Sequence, residues 1–175
     1  MIRGKIIAHD GRFISETAIV QGDVRLGAGC NIWHYVVIRG DVAPIVLGER
    51  INVQDACVIH CQTGVPLEID NDVAIGHHAI IHCRRVGGHT LIGSRATVLD
   101  GCEVGSHCLI AAGSLLTPGT KTPDGVVLMG SPARIVRDIR PQEEARISEI
   151  DRGYGELAAR HAAGAFPPFL DSVTP

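Results

Sequence analysis

The chain has 175 residues, a net charge of −3 and a pI near 6.3, so its charge gives no reason to expect nucleic acid or an anionic membrane as a partner. No run of 18 apolar residues occurs, and the first residues lack the apolar core of a signal peptide, so we expect a cytoplasmic protein. Aromatic residues make up only 3% of the chain whereas glycine contributes 21 residues, which favours a narrow, repetitive fold over a conventional globule.

The predicted elements follow a period of six. Aliphatic residues recur at every sixth position in four stretches, and a small or β-branched residue follows four positions after most of them. The series are Ile14, Val20, Leu26, Ile32 and Ile38; Leu47, Val53 and Ile59; Ile69, Ile75 and Ile81; and Val86, Ile92, Val98, Val104, Ile110 and Leu116. One large and one small inward residue in six is typical of a parallel β-helix in which three hexapeptides make one triangular coil. Neighbouring coils then lie about 4.8 Å apart.

The last part of the chain breaks this period. Pro141 suits a first helical position, and apolar residues at helical spacing predict a helix from about Pro141 to Ala163. We expect this helix to pack along the solenoid and the segment after it to be irregular. The predicted organisation is a β-helix with its N-terminal cap over residues 1–135, followed by the helix and tail over residues 136–175 of the same structural domain.

The hexapeptide register places two histidines in one column. Ile59 and Ile81 are one coil apart once a short insertion is placed in the segment "CQTGVPLE". Each is followed by a histidine, so His60 and His82 should stack at one corner, about 4.8 Å apart. The same register puts Arg39 below His60. This spacing suits two ligands of one metal ion.

A third histidine, His77, lies on the preceding face of the triangle. It should not easily reach the corner of His60 and His82 in its own chain, but it could reach that corner in a neighbour if three solenoids pack about a threefold axis. The register therefore predicts a site shared between subunits. Three neutral imidazoles with an open position are typical of catalytic zinc, and they also suit Fe2+ and Co2+.

Two cysteines follow the candidate ligands directly. Four of the six cysteines occupy the small-residue position of the repeat, and we interpret those as reduced, buried thiols. Cys61 and Cys83 fall outside that position, so we expect them to lie near the site or to be exposed. A mixed His/Cys metal site therefore stays open at this point.

Several short motifs together resemble the γ-class carbonic anhydrase family. They are "IRGD" at 38–41, "NVQD" at 52–55, "IH" at 59–60, "GH" at 76–77, the histidine at 82 and "MGSPAR" at 129–134. The resemblance covers roughly residues 10–165. It implies an all-β solenoid, a left-handed parallel β-helix with a C-terminal α-helix packed alongside, and a homotrimer with zinc sites between subunits.

The resemblance also assigns roles to individual residues. The family's zinc ligands match His60, His77 and His82. Its RGD arginine and aspartate, which join salt bridges at the trimer interface, match Arg39 and Asp41. The implied reaction is the reversible hydration of CO2 to bicarbonate by hydroxide formed at zinc.

Three further residues enter through the same resemblance. Gln54 matches the family's glutamine that contacts the solvent on zinc, and Asn52 matches a residue near that glutamine. Tyr154 lies in a segment similar to the family's "Y-x-E-L-A", which implies that it is a neighbour of the site. Val42 is a departure, because the archaeal prototype carries a glutamate after RGD. Fast hydration is therefore not implied as directly as metal binding.

Other functions stay open on the sequence alone. A hexapeptide-repeat acyltransferase would bind acyl-CoA between coils and use one histidine as a base. A CoA-ester thioesterase would use the same zinc. A catalytically weak γ-class homologue would instead have a structural or regulatory role. Metal analysis of the purified trimer separates these hypotheses.

Overall fold

The computed structural model describes residues 4–167, and these contain 18 strands and one α-helix. The strands are β1 Ile6–His9, β2 Arg12–Ser15, β3 Ile19–Leu26, β4 Asn31–Ile32, β5 Val37–Leu47, β6 Asn52–Val53, β7 Val58–His60, β8 Leu67–Ile69, β9 Ala74–Ile75, β10 Ile80–Ile81, β11 Arg85–Val86, β12 Leu91–Ile92, β13 Thr97–Val98, β14 Glu103–Val104, β15 Leu109–Ile110, β16 Leu115–Leu116, β17 Val126–Gly130 and β18 Ala133–Asp138. The helix, α1, is Pro141–Ala162. Most strands have only two residues because each hexapeptide spends its other residues turning a corner.

The strands stack into about six coils, and the expected left-handed parallel β-helix is confirmed. Its interior consists of three columns of buried aliphatic side chains that come from the three faces of the triangle. The predicted register is correct, since Ile59 pairs with Ile81 and with Ile38. The long strand β5 crosses a corner, so its start pairs with β7 and its end pairs with β8. The segment "GDVAPIV", which holds the extra residues between the paired Ile38 and Ile59, lies within this strand.

Antiparallel hairpins lie at both ends of the solenoid. At one end β1 pairs with β2, and at the other β17 pairs with β18. The "MGSPAR" segment forms the turn between β17 and β18, and β18 crosses the expected boundary at 135/136. These hairpins give the terminal coils a backbone partner that a further coil would otherwise supply.

Helix α1 packs lengthwise against β1, β2, β4, β6 and β9 and buries Ile147 and Ala158. Its observed end differs from the predicted one by a single residue. The segment expected to be irregular extends to residue 175, and residues 168–175 lie outside the described residues. No helix in residues 4–167 is long and apolar enough to cross a membrane.

Cys61 and Cys83 are not exposed, so that part of the expectation is wrong, although each lies beside a candidate ligand. Both belong to the hydrophobic core, where they are only 1% and 3% exposed. The physical reason is the alternation of side chains in an extended segment: Ile59 points inward, His60 points outward, and Cys61 points inward again. Burial raises the pKa of both thiols, that of Cys83 to about 12. The thiols thus face the interior, and the histidines beside them do not.

Candidate metal site

His60 and His82 stack at one corner of the solenoid. His60 ends β7 and His82 follows β10, and these two strands are paired in parallel. The ring centroids are 5.1 Å apart, and Nδ1 of His60 lies 3.1 Å from Nε2 of His82. The side chains are 18% and 29% exposed, so both rings remain within reach of solvent. One nitrogen of each ring therefore faces the other ring across a short gap.

The opposite nitrogen of each ring lies next to a carboxylate. Asp41 Oδ1 is 3.0 Å from Nε2 of His60, and Asp100 Oδ1 is 2.6 Å from Nδ1 of His82. A hydrogen bond from Arg39, and a second from His60, hold the pKa of Asp41 below its usual value. Arg39 thus keeps Asp41 ionised. The carboxylates of Asp41 and Asp100 each favour one orientation of the imidazole beside them.

His77 occupies the neighbouring face, two residues after β9. The preceding Gly76 is required there, because a Cβ atom at this position would lie 2.6 Å from the backbone nitrogen of Ser94 in the next coil. Nδ1 of His77 is 3.0 Å from Oδ2 of Asp55, and Nε2 is 3.4 Å from the hydroxyl of Tyr154 on α1. As in the other two histidines, one ring nitrogen lies next to a carboxylate.

A single chain brings together only part of the predicted ligand set. His60 and His82 form a pair, whereas the contacts of His77 are to Asp55 and Tyr154. Within residues 4–167 of one chain, no group of three or more His, Cys, Asp or Glu side chains is arranged to hold a metal ion. Completion of the site by a neighbouring subunit stays a prediction.

Two predicted amide side chains lie on the face that α1 covers. Asn52 is fully buried and Gln54 is 6% exposed. Neither Oδ1 nor Nδ2 of Asn52 has a hydrogen-bond partner among the described residues. Tyr154 reaches the same region from α1, where burial, and then the charge of Asp55, raise the pKa of its phenol. Polar groups capable of holding a small ligand thus line the His77 face.

Sequence reasoning missed two residues at this site, Asp100 and Trp33. Asp100 comes two residues after Val98, in the coil next to His82, so the column arithmetic that paired the histidines could have found it. Trp33 contacts the ring of Tyr154 edge-on with centroids 5.4 Å apart. That contact depends on where α1 packs, which the hexapeptide period does not specify.

Comparisons with known proteins agree with the fold and the motifs. Residues 85–118 match the family model described as bacterial transferase hexapeptide (six repeats). A solved structure from Bacillus cereus, provisionally described as an acetyltransferase, superposes with a TM-score of 0.86 at 35% identity and covers 89% of this chain and 90% of that chain.

Curated relatives carry the family assignment. A carbonic anhydrase of Geobacillus kaustophilus is 40% identical over 151 residues, which is 86% of this chain and 83% of the relative. The mitochondrial γ carbonic anhydrase 1 of Arabidopsis thaliana is 40% identical over 157 residues, and the chain spans only 57% of its length. With this identity spread over most of its length, the chain belongs to the γ-class carbonic anhydrase-like family of hexapeptide-repeat proteins.

Proposed function

We propose that the protein is a zinc-dependent enzyme that catalyses the reversible hydration of CO2 to bicarbonate, as a homotrimer with its metal sites between subunits. The observation that carries this proposal is the shared environment of His60, His77 and His82. Each imidazole has one nitrogen next to a carboxylate and the other available, and the available nitrogens of His60 and His82 are 3.1 Å apart. Histidines that ligate metals usually have such carboxylate partners.

The donor set fits a divalent metal ion. The nitrogens available to hold it are Nδ1 of His60, Nε2 of His82 and Nε2 of His77 from a neighbouring subunit. Three imidazoles with a remaining open position are typical of catalytic zinc, and Fe2+ and Co2+ also accept such ligands. When bound, an ion of this kind lowers the pKa of water toward neutrality and so supplies hydroxide.

The surrounding side chains bind and orient the reactants in this proposal. The almost fully buried Gln54 orients water or CO2 through its amide, and the unpaired amide of Asn52 lies on the same face. The Tyr154 hydroxyl lies 3.4 Å from the available nitrogen of His77, so it can contact a ligand held there. Hydration releases a proton, and Val42 supplies no carboxylate to carry it, so we expect the rate to depend on buffer concentration.

Metal analysis and stopped-flow kinetics of the purified protein test the proposal together. We expect about one zinc ion per chain and CO2 hydration above the buffer background. Stoichiometric metal with background hydration would favour the catalytically weak homologue. Metal far below stoichiometry after reconstitution would contradict the zinc site itself.

Asp100 gives a separate test of the site. Asp100→Asn keeps the size of the side chain but removes the charge beside Nδ1 of His82, so the zinc dissociation constant should rise about tenfold or more. Competition with a chromogenic chelator measures this constant. Asp23→Asn is the matched control, because Asp23 is exposed and its one ion pair within residues 4–167 is with Arg25. An unchanged constant in Asp100→Asn would contradict the role of this carboxylate.

A CoA-dependent acyltransferase is the second candidate. It is supported by the match to the bacterial transferase hexapeptide model and by the similarity to the Bacillus cereus structure. Calorimetry with acetyl-CoA separates the two functions. Saturable binding that survives removal of metal would favour the transferase, whereas binding or hydrolysis of the CoA ester that needs metal would favour the thioesterase.

A cytoplasmic location belongs to the same proposal. All six cysteines are unpaired and buried. Reduced thiols of this kind are typical of a compartment that keeps glutathione reduced.

A further inference from the structure

The interface between α1 and the solenoid contains an enclosed carboxylate. Asp151 lies in the middle of α1, and neither of its carboxylate oxygens is exposed or has a hydrogen-bond partner among residues 4–167. It lines a cleft of about 400 Å³ between the helix and the β-helix. An enclosed, unpaired negative charge is costly, so ionisation of Asp151 opposes the packing of α1.

The charged groups around Asp151 do not compensate this cost. They are Asp72, Arg50 and His89 from the solenoid, Glu49, which is paired with Arg50, and Arg152 from α1 itself. Arg50 donates two hydrogen bonds to Asp72, at 2.6 and 2.9 Å, and so is already engaged. Burial, and then the charge of Asp72, raise the pKa of Asp151 to about 7, although Arg50 acts in the opposite direction.

The other contacts along this side of α1 are satisfied. Corner residues of successive coils meet successive turns of the helix: His107 Nδ1 lies 3.3 Å from Glu144 Oε1, and His89 Nε2 lies 3.4 Å from Ser148 Oγ. Asp151 comes next along the helix and meets no donor. Asp151 is therefore the unsatisfied member of this row of polar side chains on α1.

We propose that Asp151 is a pH-sensitive latch, which holds α1 against the solenoid when it is protonated and loosens α1 when it is ionised. Tyr154 lies three residues further along α1, so loosening would withdraw its hydroxyl from His77. The latch itself goes beyond the proposed function, and only this consequence for the metal site rests on it.

The direction of the pH effect follows from proton binding. The pKa of Asp151 in the folded protein is about 7, whereas that of an ordinary aspartate is 3.8. Between these values the folded chain keeps a proton that the unfolded chain has lost, so stability falls as pH rises through this range and levels off above about pH 7.

Thermal unfolding of the full chain at several pH values tests the latch. The unfolding temperature of Asp151→Asn relative to the parent should rise with pH. The free energy of unfolding of the variant minus that of the parent should rise with it. The increase in this difference from its low-pH value to pH 5 should be less than half of the increase to about pH 8. Glu149→Gln removes an exposed carboxylate of the same helix, so its difference from the parent should not follow this curve. A difference between Asp151→Asn and the parent that does not vary with pH would overturn the proposal.

Fluorescence reports the position of α1 directly. Trp33 is the only tryptophan of the chain, and its ring lies 5.4 Å from that of Tyr154 and 5.3 Å from that of His161, centroid to centroid. We expect the parent to show a transition with a midpoint near pH 7 and Asp151→Asn to lack it. Burial lowers the pKa of His161 below 6.5, so its own titration falls at lower pH.

A second variant keeps the experiment decisive. Asp72→Asn removes the like charge and releases Arg50, so the fluorescence midpoint should move to lower pH. The same transition in the parent and in Asp151→Asn would show that another group is responsible. This readout needs neither metal nor activity, so its failure is distinguishable from failure of the carbonic anhydrase proposal.

Discussion

Replacing His82 with alanine is expected to lower the zinc content to less than about a tenth of the parent value and CO2 hydration by about 100-fold or more. The variant removes the nitrogen that faces Nδ1 of His60 at 3.1 Å. Two imidazoles then remain at each site, and the nearby thiols of Cys61 and Cys83 point into the core, where they cannot replace the lost ligand. Metal analysis after reconstitution and stopped-flow hydration measure the two effects.

His78→Asn is the matched control for this variant. His78 is next to His77 but is exposed, and its φ of 60° is a left-handed conformation that asparagine tolerates. This variant should keep both metal and activity. Full zinc occupancy in His82→Ala, with the trimer and the circular dichroism spectrum unchanged, would contradict the assigned ligand set.

The coil register was predictable from sequence because it depends on a local pattern. Inward aliphatic residues every six positions specify which side chains share a column, and the pairing of Ile59 with Ile81 follows from counting. The contact between His60 and His82 then follows, since each comes directly after an inward residue. The handedness of the coil does not follow from the period and came only from the family resemblance.

The cysteine error has an equally local cause. In the hexapeptide pattern a small inward residue comes four positions after each large aliphatic residue. The pattern does not predict a further inward residue at a corner that carries an insertion. Cys61 follows Ile59 by two positions and precedes such an insertion, so simple strand alternation governs its direction.

Contacts made by α1 were the hardest to predict. Amphipathic spacing gives the bounds of the helix, but the face of the solenoid on which it packs is a tertiary property. The resemblance named Tyr154 as a neighbour of the site, and the structure places its hydroxyl near His77. Nothing in the sequence marks Asp151, because an aspartate in a helix is ordinarily solvated, and only the packed structure encloses it.

Coexpression of His77→Ala and His82→Ala chains is expected to restore zinc binding to about a quarter of the parent level, although neither variant alone forms a complete site. The proposed site takes His60 and His82 from one subunit and His77 from the next. In a random, equal mixture, an interface is intact when the first subunit carries only the His77 substitution and the second only the His82 substitution. If all three ligands came from one chain, no mixture would restore a site.

A mixture of His60→Ala and His82→Ala chains is the matched control, because both substitutions affect the same side of the interface. Every site in such a mixture lacks one ligand, so we expect no recovery of zinc or of CO2 hydration. Two different affinity tags and sequential purification isolate the mixed trimers before metal analysis. Every mixed trimer of His77→Ala and His82→Ala chains has one intact interface of its three, so recovery should rise from about a quarter in the unfractionated mixture to about a third in the purified mixed trimers. Equal recovery in both mixtures would contradict the shared site. No recovery in mixed His77→Ala and His82→Ala trimers would contradict it as well, because the third ligand beside the available nitrogens of His60 and His82 would then not be His77 of the neighbouring subunit.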